Sequence, residues 1–188
     1  MANDKIIIYQ LMQRWFTNMN SENTFNGTLE ENGVGKLNHI TPHVLRSIKG
    51  LGISHVWYTG VIEHATKSDY SSFGIKSSNS QVVKGNAGSP YAIRDYYDID
   101  PDLAVDVPHR MQEFEMLVER THEAGLKVVI DFVPNHVARE YHSDAKPSGV
   151  ADLGEDDNTK RFFAPDNNFY YITGYDFVPP VPCDDGKP

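Results

Sequence analysis

The chain has 188 residues, 17 basic against 26 acidic, for a formal charge of −9. With no basic run anywhere, that balance argues against a nucleic-acid partner, whose phosphates call for clustered cations. One cysteine, Cys183, leaves no intrachain disulfide and no cysteine-based zinc cluster.

The N-terminal residues Met1 to Lys5 pass directly into I-I-I-Y-Q-L. Three isoleucines make too short an apolar core for a secretory signal, and no stretch approaches membrane-spanning length. A cytoplasmic protein is expected, or one whose signal has been trimmed away. Lys5 to Leu11, rich in β-branched and aromatic residues, is the first expected strand. A helix follows: Thr41 can cap it, Pro42 suits its first turn, and Val44, Leu45, Ile48 and Leu51 share one apolar face. Gly50 and Gly52 supply its stop.

His55 to Tyr58 is the second expected strand. After it, Thr59 to Val107 forms a connection of 49 residues, rich in Ser, Gly and Asn. Connections of that length are functional or disordered more often than plain. Pro108 opens a second helix, with Met111, Phe114, Leu117, Val118 and Ala124 tracing its core stripe, and Gly125 ends it. Lys127 to Val133 is the third strand. Its almost unbroken apolar run suits a parallel strand covered on both faces. This alternation of strands and helices predicts an α/β fold with parallel strands and right-handed crossovers.

The third strand carries the chemistry. It reads K-V-V-I-D-F-V-P-N-H, placing Asp131, Asn135 and His136 at its carboxyl end. Ligands of α/β proteins bind at that edge. A lone aspartate there would more often satisfy loop amides, and a lone histidine would more often pack. The other seven histidines show no metal spacing. Phe162, Phe163, Phe169, Tyr170 and Tyr171 suggest a small core in a later subdomain, and Glu155 to Asp157 a solvated loop.

D-F-V-P-N-H resembles the first conserved region of the α-amylase family of glycoside hydrolases. Three upstream blocks extend that resemblance over most of residues 5 to 141: I-Y-Q-L-M-Q-R-W-F, then G-K-L-N-H-I-T with L-G-I-S-H-V-W-Y, then S-P-Y-A-I-R-D-Y-Y-D-I-D-P. The resemblance implies that His136 hydrogen-bonds a glucose hydroxyl where cleavage occurs and that Tyr91 stacks on the same ring. Asp131 would support the site's hydrogen bonds, and Asn135 would ligate calcium. Ala92 stands where the family has Asp, and Tyr58 runs into Thr59-Gly60 where it has proline. Asp152, Asp156 and Asp157 are the carboxylates near enough in sequence to add to a calcium shell, without the D-x-D spacing of a calcium loop.

A closed (β/α)8 TIM barrel takes about 250 residues. The expectation is therefore its N-terminal portion: the first three β/α units over residues 1–136, then the start of an inserted loop-rich domain over 137–188. The family's nucleophile, acid/base and third carboxylate lie on later strands, so no catalytic residue is expected in this chain. It would supply the sugar-binding floor of a retaining hydrolase acting on α-1,4-glucosidic bonds of starch-like glucans, and be inactive alone. The partner is then an α-glucan oligosaccharide or polysaccharide, with no nucleic acid or membrane. The rest of the barrel would come from a longer chain or an oligomer. Other readings are a non-catalytic carbohydrate-binding or assembly module, a transglycosylase or isomerase on the same fold, and a metal hydrolase using Asp131, Asn135, His136 and His142.

Overall fold

A computed structural model describes residues 5–176; Met1 to Asp4, Cys183 and the V-P-P-V-P tail lie outside the described residues. In chain order the elements are β1 (Ile8–Met12), α1 (Gln13–Phe16), α2 (Leu29–Asn32), α3 (Pro42–Gly50), β2 (His55–Thr59), β3 (Ile62–His64), β4 (Ile93–Ile99), α4 (Arg110–Glu123) and β5 (Lys127–Ile130).

The expected parallel sheet is present. Its order is β1-β2-β5, with Ile8 opposite His55 and His55 opposite Lys127. Helices α3 and α4 cover one face, where Leu11, Leu45, Ile48, Val56, Tyr58 and Leu117 are buried together. Thr121 on α4 donates to the Leu117 carbonyl at 2.7 Å. Its one proton is thus used, so the Tyr58 hydroxyl donates to it at 2.6 Å and ties β2 to α4. No helix among the described residues is long and apolar enough to cross a membrane.

Several expectations need correction. The first strand starts at Ile8, because the carbonyl of Ile7 is bound to the turn before β2 by Ser54 and His55. The third ends at Ile130, because beyond it the side chain of Asp131 receives the Gly60 N–H. It is not covered on both faces either: β5 is the edge of the described sheet, and Ile130 is 41% exposed. Leu51 is 71% exposed, since it lies past the end of α3 on the turn that Gly52 makes with φ +82°. Met111 is also exposed, and the buried positions of α4 include Glu113 and Thr121, which the apolar stripe omitted.

The long connection is not plain loop. It folds into a second, antiparallel sheet of β3 and β4, with Ile62 opposite Ile99 and His64 opposite Ile93. The later aromatics do not form a core. Phe162 meets Tyr170 at 4.8 Å, edge to face, yet both remain exposed because residues 150–176 contain turns but no helix or strand to cover them.

Candidate functional site

The parallel register aligns Gln10, Trp57 and Val129, with Met12 and Thr59 two residues further on. Side chains alternate along strands, so these face away from the helices that cover Leu11, Val56 and Tyr58. Asp131 follows Val129 on that same face. Its Oδ1 accepts the Trp57 indole N–H, and its Oδ2 accepts the Gly60 backbone N–H at 3.0 Å. Beside it, the Gln10 amide donates to Thr59 Oγ1 at 2.9 Å. One carboxylate thereby locks the carboxyl ends of β2 and β5 together.

Tyr91 and His136 flank the backbone bonds between β4 and the segment after β5. The N–H of Ala138 donates to the Ile93 carbonyl at 2.6 Å and that of His142 to the Arg94 carbonyl at 3.1 Å, so the chain after β5 runs along β4. Tyr91 and His136 each stand two residues before a partner in the first of these bonds. A Cβ on Gly60 would sit 2.8 Å from Pro90, the residue before Tyr91. Tyr91 is 47% exposed and His136 is exposed.

Of the neighbouring tyrosines, Tyr96 is structural. Its hydroxyl donates to the carbonyls of Val133 and, at 3.4 Å, His136, and its ring lies 5.8 Å from those of Phe132 and Tyr141. Asn135 Nδ2 lies 3.3 Å from His136 Nδ1. An amide nitrogen only donates, so this contact makes Nδ1 the acceptor and leaves the proton of a neutral imidazole on Nε2.

Calcium takes about six to eight oxygens, and two of the three carboxylates expected to join Asn135 already accept other hydrogen bonds. Asp157 spends its oxygens on the N–H groups of Asn168 and Phe169 and on the Tyr171 hydroxyl. Asp152 accepts from the N–H groups of Ser143 and Leu153. Asp131, Asn135, His136 and His142 do not form a metal set either. Asp131 is bound to Trp57 and Gly60, while His142 lies 3.1 Å from Asp144.

Sequence reading missed a buried ionic layer on β3 and β4. Glu63, Asp95 and Asp98 bring carboxylate oxygens within 4.8 Å of one another. Arg94 pairs with Glu63 at 3.1 Å and Asp144 at 3.2 Å, and Arg110 pairs with Asp98. Burial pushes the Glu63 carboxyl up to about 8, although Arg94 pulls it down. His64 Nδ1 lies 2.6 Å from Asp100, and its Nε2 lies 3.1 Å from the Ala87 carbonyl. Burial favours a neutral ring, yet the Asp100 carboxylate outweighs it and raises the His64 pKa. The available signal was three acids and an arginine inside one strand-like run, I-R-D-Y-Y-D-I-D-P.

A family model described as the α-amylase catalytic domain matches residues 9–173. The trehalose-6-phosphate hydrolase of Bacillus subtilis is 31% identical over 137 residues, covering 73% of this chain and 18% of that protein. Maltase 1 of Drosophila virilis is 27% identical over 151 residues, covering 80% of this chain and 18% of the relative. The crystal structure of an α-amylase from Geobacillus thermoleovorans, complexed with acarbose, superposes with a TM-score of 0.50 at 23% identity, over 73% of this chain and 25% of that one. The chain thus spans less than a fifth of the length of these curated relatives.

Proposed function

The chain belongs to the α-amylase catalytic-domain family, and on that premise we propose that it is the N-terminal part of a retaining glycoside hydrolase acting on α-1,4-glucosidic bonds of starch-like glucans. Strands β1, β2 and β5 are the first three strands of the family's barrel, which the described residues do not close. The observation that supports the proposal is the Asp131 brace, which ties the carboxyl ends of β2 and β5 together.

In this reading His136 offers its Nε2 proton to a sugar hydroxyl, while Asn135 holds the ring's other nitrogen. Tyr91 lies against the C–H face of the same sugar and gains apolar contact without having to satisfy hydroxyls. Asp131 acts as a positioning group, because both of its oxygens brace backbone and indole. A retaining mechanism needs two carboxyls about 5 Å apart across the scissile bond. In our reading those groups come from later strands, so residues 1–188 alone bind sugar without cleaving it.

The test is calorimetric titration with a maltooligosaccharide. Binding to the chain that falls at least tenfold in His136→Ala supports the assignment. Equal affinity in both proteins removes it.

A further inference from the structure

Tyr91 sits on an arch, residues 86–92, that returns along the end of β3. Two backbone hydrogen bonds form its feet. The Lys67 N–H donates to the Asn86 carbonyl at 2.9 Å, and the Ala65 N–H donates to the Ala92 carbonyl at 3.0 Å. Between those feet the arch meets the His64 ring, the last residue of β3. His64 Nε2 lies 3.1 Å from the Ala87 carbonyl oxygen. Gly88 passes so close that a Cβ there would lie 3.4 Å from the ring's Cδ2. The ring thus fixes the backbone a few residues before Tyr91.

His64 has an acceptor on each side. Its Nδ1 lies 2.6 Å from Asp100 Oδ2, where an unprotonated nitrogen and a carboxylate oxygen would repel, so a proton lies between them. Burial would raise the Asp100 carboxyl, but His64 and Arg14 outweigh it and hold it low. That proton therefore belongs to the ring. A backbone carbonyl only accepts, so the Ala87 contact needs a second proton, on Nε2. Both protons together make the imidazolium.

The surrounding charges are arranged for this. Asp100 Oδ1 accepts the Asp102 N–H at 2.8 Å, which leaves Oδ2 for the ring. Asp102 itself is spent on Arg14 and on the Tyr70 hydroxyl, and Lys36 reaches the Asp102 carbonyl at 2.6 Å. Glu63, the neighbour of His64 on β3, pairs with Arg94 instead. Burial disfavours a charged His64 and Arg14 opposes it, yet Asp100 prevails and the His64 pKa is raised. A neutral ring would hold one proton for two acceptors. The carboxylate makes the stronger bond, so the proton stays on Nδ1 and the Ala87 carbonyl meets a lone pair.

We propose that His64 is a positioning residue for Tyr91, clamping the arch through Ala87 in its charged form, so that sugar stacking on Tyr91 weakens once His64 gives up a proton; this rests on the function proposed above. His64→Asn tests it, because the shorter amide keeps a donor for Asp100 and has none that reaches Ala87. A maltooligosaccharide is titrated calorimetrically into the chain, His64→Asn, Tyr91→Ala and the double variant. His64→Asn should weaken binding about fivefold in the parent and add nothing in Tyr91→Ala, since it acts through that ring. Equal weakening in both backgrounds overturns the proposal. Amide exchange at Ala65 and Lys67 reads the clamp without sugar, and should quicken about tenfold in His64→Asn. Unchanged exchange overturns the clamp. Faster exchange beside a Tyr91→Ala variant that binds as tightly as the parent keeps the clamp and removes the role given to Tyr91. Should His64→Asn fail to fold, the parent chain decides. Protection at Lys67, corrected for the intrinsic rate, should fall between about pH 6 and about pH 10 in step with the His64 ring signals in NMR. Constant protection over that range overturns the proposal, as does a ring already neutral at about pH 6.

Discussion

The Asp131 carboxylate accepts the Gly60 backbone N–H at 3.0 Å, joining the end of β5 to the residue just past β2. Its other oxygen takes the Trp57 indole N–H. Asp131→Ala strips both donors of their acceptor. An unsatisfied buried donor costs about 1–3 kcal/mol, and these two are only part-buried, so a loss of about 2 kcal/mol is expected. Asp131→Asn keeps one acceptor oxygen and should recover part of that. Urea denaturation midpoints check both, and a midpoint for Asp131→Ala equal to wild type would show that the brace carries no stability.

Gly88 is a tighter constraint. Its φ is +74°, and a Cβ there would lie 1.7 Å from the Ala65 carbonyl oxygen, a backbone atom that cannot swing aside. Gly88→Ala should cost more than about 3 kcal/mol or prevent folding. Gly74, with φ +81° but nothing within 4 Å, is the control. Gly74→Ala should cost about 1 kcal/mol, the strain of a left-handed L-residue alone. Similar losses at the two sites would contradict the close approach.

Tyr91 separates stacking from hydrogen bonding. The ring is half exposed, and the function assigned to it needs only its flat face. Tyr91→Phe should bind maltooligosaccharide within about twofold of wild type, and Tyr91→Ala about tenfold more weakly. If both variants lose binding equally, the hydroxyl and not the ring face makes the contact.

Stability should fall as pH rises through neutrality. Glu63 has its folded pKa raised to about 8 by burial, and His64 has its pKa raised by Asp100 against the opposing effect of burial. Each group binds its proton more tightly folded than unfolded. Each contribution is therefore complete below the unfolded pKa, about 4.5 for Glu and 6.5 for His, and is lost as pH climbs through the folded value. Thermal melts between pH 5 and pH 9, bounds set roughly by those two values, should show a falling midpoint. Glu63→Gln should flatten the fall, and an unchanged slope in that variant would assign the effect elsewhere.

Chelation should leave the chain unaltered. Asp152 and Asp157, two of the carboxylates expected to join Asn135, are already satisfied by N–H groups and a tyrosine. Melting midpoints with excess EDTA and with excess calcium should agree within about 1 °C; a calcium-dependent rise of the order of a few degrees would reveal a shell formed by other residues.

Much was legible in the linear chain. The parallel order of β1, β2 and β5, the cap at Thr41 and the stop at Gly125 all follow from local rules, in which apolar runs make strands and capping residues bound helices. The block I-R-D-Y-Y-D-I-D-P is β4 with its end, and local rules do not mark it as a strand. Its acids and arginine hid a strand, because burial of charge is legible only once the pairing partners are in place.

By itself, the sequence determined the three parallel strands and the helices α3 and α4, since periodicity and capping act within a few residues. Tertiary structure alone decided what each polar group is for. Glu63 pairs with Arg94 across 31 residues, His64 faces Asp100 and the Ala87 carbonyl, and Asp131 reaches Gly60 across 71. A carboxylate's role depends on which donor lies within about 3 Å of it. Folding sets that distance, because it joins positions that the linear order leaves far apart.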